Sequence, residues 1–159
     1  MPDQIKTKGF TLIEIIAVLA VASIVAVVAI SRMVSTDDVN NKAMAEALKS
    51  HIRYVQMRAM NTDPQTANCH SSYGIHMSHG SYFMFRECSK NNKVILPGSE
   101  TDQVSLGNLT LSVNDKDVTF DKYGRPCSDL NGNTLYNADQ TITLGTETIK
   151  ITKNTGFVP

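Results

Sequence analysis

The stretch KGFTLIEIIAVLAVASIVAVVAI, residues 8–30, decides the fold, because it is apolar at almost every position after its first residues. As a helix, residues 10–30 rise about 1.5 Å per residue and span roughly 30 Å, the thickness of the hydrocarbon core of a bilayer. Glu14 lies inside this apolar run. A carboxylate within a membrane costs about 2.5–3.5 kcal/mol on insertion scales. We therefore predict a transmembrane helix in which Glu14 has a specific role.

The charges that flank the apolar run predict its orientation. Lys6 and Lys8 precede it, Asp37 and Asp38 follow it, and Arg32 is the one opposing charge. Basic residues favour the cytoplasmic side of a membrane. This bias places the N-terminus in the cytoplasm and the rest of the chain across the membrane.

Two other kinds of N-terminal segment, a cleaved signal peptide and a plain membrane anchor, have a similar composition. A cleaved secretory signal peptide has a shorter apolar core, followed by an A-x-A-like site. Here the Ala-Val-Ala sequence of residues 20–22 falls inside the run. A plain membrane anchor is the second alternative, but an anchor has no use for Glu14.

The sequence GFTLIE, residues 9–14, together with the basic residues before it and the apolar run after it, resembles the class III signal of type IV pilins and pseudopilins. In that family a membrane-embedded prepilin peptidase cuts after the glycine, here Gly9, and methylates the new N-terminus, here Phe10. The resemblance covers residues 1–32 strongly. It implies that Glu14 is an assembly residue, which neutralises the Phe10 amine of a neighbouring subunit so that two costly charges become a tolerable pair.

Residues 31–60 predict that the helix continues beyond the membrane, because they contain neither glycine nor proline. Apolar residues recur there at helical spacing and predict a buried stripe: Ala43, Ala47, Leu48, Ile52 and Val55. The sequence NTDPQ, residues 61–65, ends the helix at its proline. We expect one helix from near Phe10 to near Met60.

The remaining residues predict β-structure. YGIHM (73–77) and YFMFREC (82–88) flank a hairpin turn at Gly80, and TITLG (141–145) and ETIKIT (147–152) form a second hairpin around Gly145. Three further strands are predicted at residues 93–97, 109–113 and 117–120. The fold class is therefore α+β, with a long N-terminal transmembrane-to-head helix packed on a small antiparallel β-sheet head. The resemblance implies the pilin fold, divided into a prepilin leader (1–9), the transmembrane half of the helix (10–30), its periplasmic half (31–61) and a β-rich head (62–159).

Three segments of the head are similar to the minor subunits called pseudopilin H and FimT-like. They are HIRYVQMRAM (51–60), VTFDKYGRP (118–126) and NTGFVP (154–159). This resemblance implies a minor pilin or pseudopilin of a type IV pilus-like filament or a type II secretion pseudopilus. A major pilin and a DNA-binding minor pilin for DNA uptake are the alternatives.

Three cysteines follow the predicted membrane segment: Cys69, Cys88 and Cys127. A head in the periplasm lies in an oxidising compartment, which favours one disulfide and one spare thiol. Cys69 and Cys88 bracket the first predicted hairpin and form the favoured pair. A Cys88–Cys127 pair and a Cys69–Cys127 pair stay open as alternatives.

No set of residues predicts a metal, a cofactor or a catalytic centre. His76 and His79 are three residues apart on a strand and its turn, so we expect surface histidines rather than a zinc site. Residues 129–139 are rich in oxygen ligands, but the glycine position differs from that of an EF-type calcium loop, and an Asx-rich turn is favoured. Asp115, Asp117 and Asp121 alternate with other residues and are predicted on the outer face of a strand. We expect no enzyme.

The charge of the chain limits its partners. Fifteen basic side chains balance fifteen acidic ones, so no broad basic field favours nucleic acid. The partners that the resemblance implies are other pilin or pseudopilin subunits, the prepilin peptidase, an inner-membrane assembly platform and the lipid bilayer. It implies a single-pass protein of the bacterial inner membrane before assembly and a pilus or pseudopilus subunit afterwards.

Overall fold

The computed structural model describes residues 10–63, 69–71 and 73–159, with the side chains of residues 31–37 left aside. The chain falls into two compact units, residues 1–39 and residues 40–159. Helix α1, Leu12–Met60, contributes to both units. The second unit contains all the described β-structure and is called the head below.

In the first unit, α1 is long and apolar enough between Leu12 and Ile30 to cross a membrane, judged by length and composition. The side chains of this segment are not buried inside the protein: Leu12 and Ile13 are 78% and 76% exposed. An apolar surface of this size is expensive in water, and a lipid environment removes that cost. The segment therefore agrees with the predicted transmembrane helix.

Within the head, α1 buries one stripe of small and aliphatic side chains, listed as Ala45, Leu48, Ile52, Val55 and Ala59. Spacings of three and four residues place these side chains on one face of a helix. The prediction was right for Leu48, Ile52 and Val55. It was wrong for Ala43, which is exposed, because that position lies almost opposite the stripe at about 100° per residue.

The head contains eight strands in the described residues: β1 Tyr73–Ser78, β2 Ser81–Arg86, β3 Ser89–Val94, β4 Val104–Ser105, β5 Lys116–Phe120, β6 Pro126–Cys127, β7 Gln140–Leu144 and β8 Glu147–Ile151. The larger sheet has the order β3-β2-β1-β5-β6, with β4 also paired to β2. Strands β7 and β8 form a separate hairpin. All pairings are antiparallel, and the architecture is α+β and pilin-like, as predicted.

One core joins the helix to both sheets. The stripe of α1 packs with apolar side chains from β1, β2 and β5, and with those of β7 and β8. Ile75, Met84 and Ile149 in this cluster are fully buried. The two hairpins therefore share one hydrophobic core even though their strands are not paired to each other.

Both predicted hairpins form, but one predicted strand is reduced to a single bridge and another is displaced along the chain. Residues 109–113 make a single bridge, between Leu111 and Leu144, because the chain runs beside β7 only briefly. The strand expected at residues 93–97 lies earlier, as β3, and ends at Val94. After Leu96 the chain turns, with Ser99 donating a backbone hydrogen bond to its carbonyl, and Pro97 has no N–H to donate to a sheet.

Candidate functional site

The first turn of α1 fixes the position of Glu14. Its backbone N–H donates to the Thr11 hydroxyl at 3.3 Å and to the Thr11 carbonyl at 3.1 Å. Thr11 therefore caps the helix, and Glu14 lies three residues later, where the positive end of the helix dipole favours an acid. Within the part of the chain that the structure describes, the carboxylate of Glu14 makes no hydrogen bond or ion pair.

Phe10 precedes the helix and is 80% exposed. Gly9, the predicted cleavage residue, lies outside the described residues. Phe10 and Glu14 line the same shallow apolar surface with Ile15, Val18 and Leu19. The two residues that the resemblance assigns to methylation and assembly thus lie one helical turn apart on the same side of the segment.

The structure joins Cys69 to Cys88 in a disulfide. Cys69 lies just before β1, and Cys88 lies in the turn between β2 and β3. Glu87 and Cys88 both have φ of 56°, a left-handed conformation that few residues adopt without a constraint. The disulfide closes a loop that contains the β1–β2 hairpin and holds this turn against the start of β1.

The third cysteine, Cys127, is buried in β6 and free. Its sulfur lies 3.6 Å from the carbonyl oxygens of Arg125 and Gly132. Burial, with the negative charges of Asp121 and Asp129, raises the pKa of the thiol to about 11. The thiol is therefore protonated at neutral pH.

Gln56 brings together three segments of the head that are far apart in the chain, residues 51–60, 118–126 and 154–159. Its side-chain amide donates to the Gly124 carbonyl at 2.8 Å and to the Thr155 carbonyl at 2.7 Å. Gly156 packs against the Gly124 carbonyl so closely that a Cβ at Gly156 would overlap that oxygen. Sequence reasoning singled out these segments but not their contact, because the residues are far apart in the chain.

Asp121 organises the loop that contains Gly124. One of its carboxylate oxygens accepts hydrogen bonds from the backbone N–H groups of Tyr123 and Arg125, at 3.0 and 2.8 Å. The other accepts from the Arg125 guanidinium at 2.7 Å. Asp121 is buried, so its prediction as an outer-face acid was wrong. A buried carboxylate is tolerated here because it is both paired and hydrogen-bonded.

His76 is not a surface histidine, which corrects the prediction for this residue. Its side chain is 12% exposed, and its Nδ1 lies 2.7 Å from Asp117 and 3.8 Å from Asp115. Such a set could hold a metal ion. Lys90 already neutralises it, with its ammonium 2.8 Å from Asp117 and 3.2 Å from Asp115. The hydrogen bond to Asp117 raises the pKa of Lys90, so the arrangement is a charged network that ties β3 to β5.

The oxygen-rich segment at residues 129–139 uses its acids internally. The Asp129 carboxylate accepts hydrogen bonds from the N–H groups of Asn133 and Thr134. Asp139 pairs with Lys150 at 2.8 Å and accepts a hydrogen bond from the N–H of Lys153. The hydrogen bond from Lys150 is the main cause that lowers the pKa of Asp139. These contacts agree with the Asx-rich turn that the sequence predicts.

Residues 5–30 match the model of the prokaryotic N-terminal methylation motif. The match includes Gly9, Phe10 and Glu14 and covers the apolar segment of α1 up to Ile30. No curated protein and no solved structure is significantly similar to the chain. The motif indicates a structural subunit. The chain therefore carries the processing and methylation signal of a type IV pilin-like prepilin.

Proposed function

We propose that this protein is a minor pilin or pseudopilin, a structural subunit of a type IV pilus-like filament or of a type II secretion pseudopilus. The observation that carries the proposal is the methylation motif at residues 5–30, which continues into an exposed apolar helix. In this proposal the prepilin peptidase removes residues 1–9, and residues 10–30 cross the inner membrane. Residues 31–61 continue the helix on the periplasmic side, and residues 62–159 form the head.

The assignment to a minor subunit has separate support. The three segments that resemble pseudopilin H and FimT-like subunits are joined through Gln56 at the end of α1. A role in holding DNA has less support, because the guanidinium of Arg125 is bound by Asp121. A major pilin has the same N-terminal motif, and locating the chain along a filament by immunolabelling separates the two.

Processing after Gly9 is tested with a pair of variants. Co-expression with a prepilin peptidase should shorten the wild-type chain by residues 1–9 and add one methyl group to Phe10. Gly9→Val should stay full-length, because the family's peptidase cuts after a glycine and the valine adds a side chain at that position. Intact mass spectrometry gives the answer, with Thr7→Val as a control that should still be cut. An unchanged mass for the wild-type chain would remove the proposal altogether.

Glu14 is proposed to pair with the Phe10 amine of the neighbouring subunit. Glu14→Ala should still insert into the membrane, since it removes a charge that is costly there. Its incorporation into filaments should fall about tenfold or more, because the buried amine of the neighbour loses its partner. Quantitative blotting of sheared filaments against total membrane protein measures the ratio.

Ser23→Ala is the matched control for Glu14. It also removes a polar group from the apolar segment, but the Ser23 hydroxyl already donates to the Ala20 carbonyl within its own helix. This variant should be incorporated like the wild type. Incorporation of Glu14→Ala at the wild-type level would exclude the docking role.

A further inference from the structure

The face of the larger sheet that points away from the core carries three side chains of metal-binding type. We call them the β1–β5 triad: His76, Asp115 and Asp117. His76 and Asp117 are direct partners in the pairing of β1 with β5. Their neighbours Ile75 and Val118 lie in the core, so strand alternation places the triad residues on the opposite face. The fold thus brings one imidazole and two carboxylates together, with all three donor atoms within 4.8 Å of one another.

The distances within the β1–β5 triad are close to those of a metal site. The ligands of a tetrahedral zinc ion, bound at about 2.1 Å, lie about 3.4 Å apart. The His76 Nδ1 is 2.7 Å from the Asp117 carboxylate and 3.8 Å from that of Asp115, one distance on each side of this value. The His76 ring packs on the Phe83 ring, with centroids 4.8 Å apart, and this contact holds the imidazole in place. Small side-chain rotations therefore suffice to bring the three ligands around one ion.

A cation lies between the two carboxylates of the triad. The Lys90 ammonium is 2.8 Å from Asp117 and 3.2 Å from Asp115, so the carboxylates are spaced to share one positive group. Lys90 supplies one positive charge to this pair, whereas a divalent ion supplies two. Lys90 belongs to β3, an edge strand of the sheet, and its side chain is 33% exposed. Its ammonium can therefore move into water when another cation takes its place.

We propose that the β1–β5 triad binds a divalent transition-metal ion such as Zn²⁺, and that the ion displaces the Lys90 ammonium. The ligands are Nδ1 of His76 and one carboxylate oxygen each from Asp115 and Asp117. An imidazole in the set favours zinc-like ions over Mg²⁺ and Ca²⁺, which prefer a shell of oxygen ligands. The Asp115 side chain is exposed, so water completes the coordination. The site goes beyond the proposed function, because it requires neither processing nor assembly.

Competition with Lys90 gives this site a distinctive signature. Lys90→Met keeps most of the length of the side chain but removes the ammonium that the ion must displace. The variant should therefore bind Zn²⁺ about tenfold more tightly than the wild type, since a unit charge near the ion is gone. His76→Gln keeps a polar side chain but removes the imidazole ligand, and it should bind at least about tenfold more weakly.

Isothermal titration of the full-length chain in detergent, with Zn²⁺ as the only added metal, measures these affinities. The wild type should bind one Zn²⁺ ion per chain, and Ca²⁺ in excess should not displace it. Thermal unfolding of each variant without metal shows whether its head is folded. Lys90→Met leaves all three ligands in place, so its effect tests the site even where His76→Gln fails to fold.

Two matched variants serve as controls. Lys93→Met makes the same change on the same strand, but the Lys93 ammonium lies over the Phe83 ring instead of between the carboxylates. His79→Gln removes an exposed histidine from the turn that follows β1. Both should bind Zn²⁺ like the wild type. No binding by the wild type, binding that survives in a folded His76→Gln, or an unchanged affinity of Lys90→Met would each overturn the site. Equal losses in His79→Gln and His76→Gln would show an adventitious ion only.

Discussion

Gly156→Ala is expected to lower the free energy of unfolding of the head by about 3 kcal/mol or more. The residue has φ of 64°, and a left-handed alanine costs about 1 kcal/mol by itself. The new Cβ would also overlap the Gly124 carbonyl and lie 2.6 Å from the Gln56 amide nitrogen. The loop must then move, and Gln56 loses hydrogen bonds worth about 1 kcal/mol each. Thermal unfolding of the processed chain in detergent, followed by near-ultraviolet circular dichroism, measures the loss.

Gly107→Ala separates the two causes of this effect. Gly107 has φ of 61°, but its added Cβ would meet nothing within 4 Å. It should therefore cost only the conformational part, about 1 kcal/mol. If the two variants had equal melting temperatures, the close approach of the two loops would play no part in the stability of the head.

Removing the disulfide should cost about 3 kcal/mol. Cys69 and Cys88 are separated by 19 positions in the chain, and closing a loop of this size restricts the unfolded state by about that amount. Cys69→Ser and Cys88→Ser should destabilise equally, and the double variant should lose no more than either single one. Melting temperatures, measured with and without a reductant that reaches the unfolded chain, provide the comparison.

Cys127→Ser is the control for the disulfide variants, and the surroundings of Cys127 determine how much stability this variant should lose. Cys127 is fully buried, so a serine there exchanges a weakly polar sulfur for a hydroxyl. The carbonyls of Arg125 and Gly132 can accept from that hydroxyl, which limits the cost to about 1 kcal/mol. A loss at Cys127 as large as that at Cys69 would contradict the pairing.

Features with a short range in sequence could be predicted. The membrane-length helix at residues 8–30 is predicted from the length and composition of that segment alone. The two hairpins are predicted from the alternation of residues on either side of Gly80 and Gly145. The methylation motif is equally local, and the match at residues 5–30 covers it. The subdivision of the chain into leader, membrane, periplasmic and head segments stays a prediction, as do the roles of Gly9, Phe10 and Glu14.

Features that depend on distant partners could not be predicted. Residues 109–113 alternate like a strand, yet they form a single bridge, between Leu111 and Leu144, because this segment runs beside β7 only briefly. His76 meets Asp117 only when β1 pairs with β5, 41 residues later. The contact of Gln56 with Gly124 and Thr155 spans 68 and 99 positions. Periodicity describes a segment and its faces, but it does not say which segments become neighbours.

The burial of Cys127 affects which of the three cysteines can take part in disulfide exchange. Thiol–disulfide exchange requires a thiolate, and with a pKa of about 11 roughly one thiol in ten thousand is ionised at neutral pH. The sulfur is also buried and lies against the carbonyl oxygens of Arg125 and Gly132, which limits the access of an incoming disulfide. Once the head has folded, the odd cysteine is removed from the exchange reaction. The fold thus protects the Cys69–Cys88 bond kinetically against reshuffling.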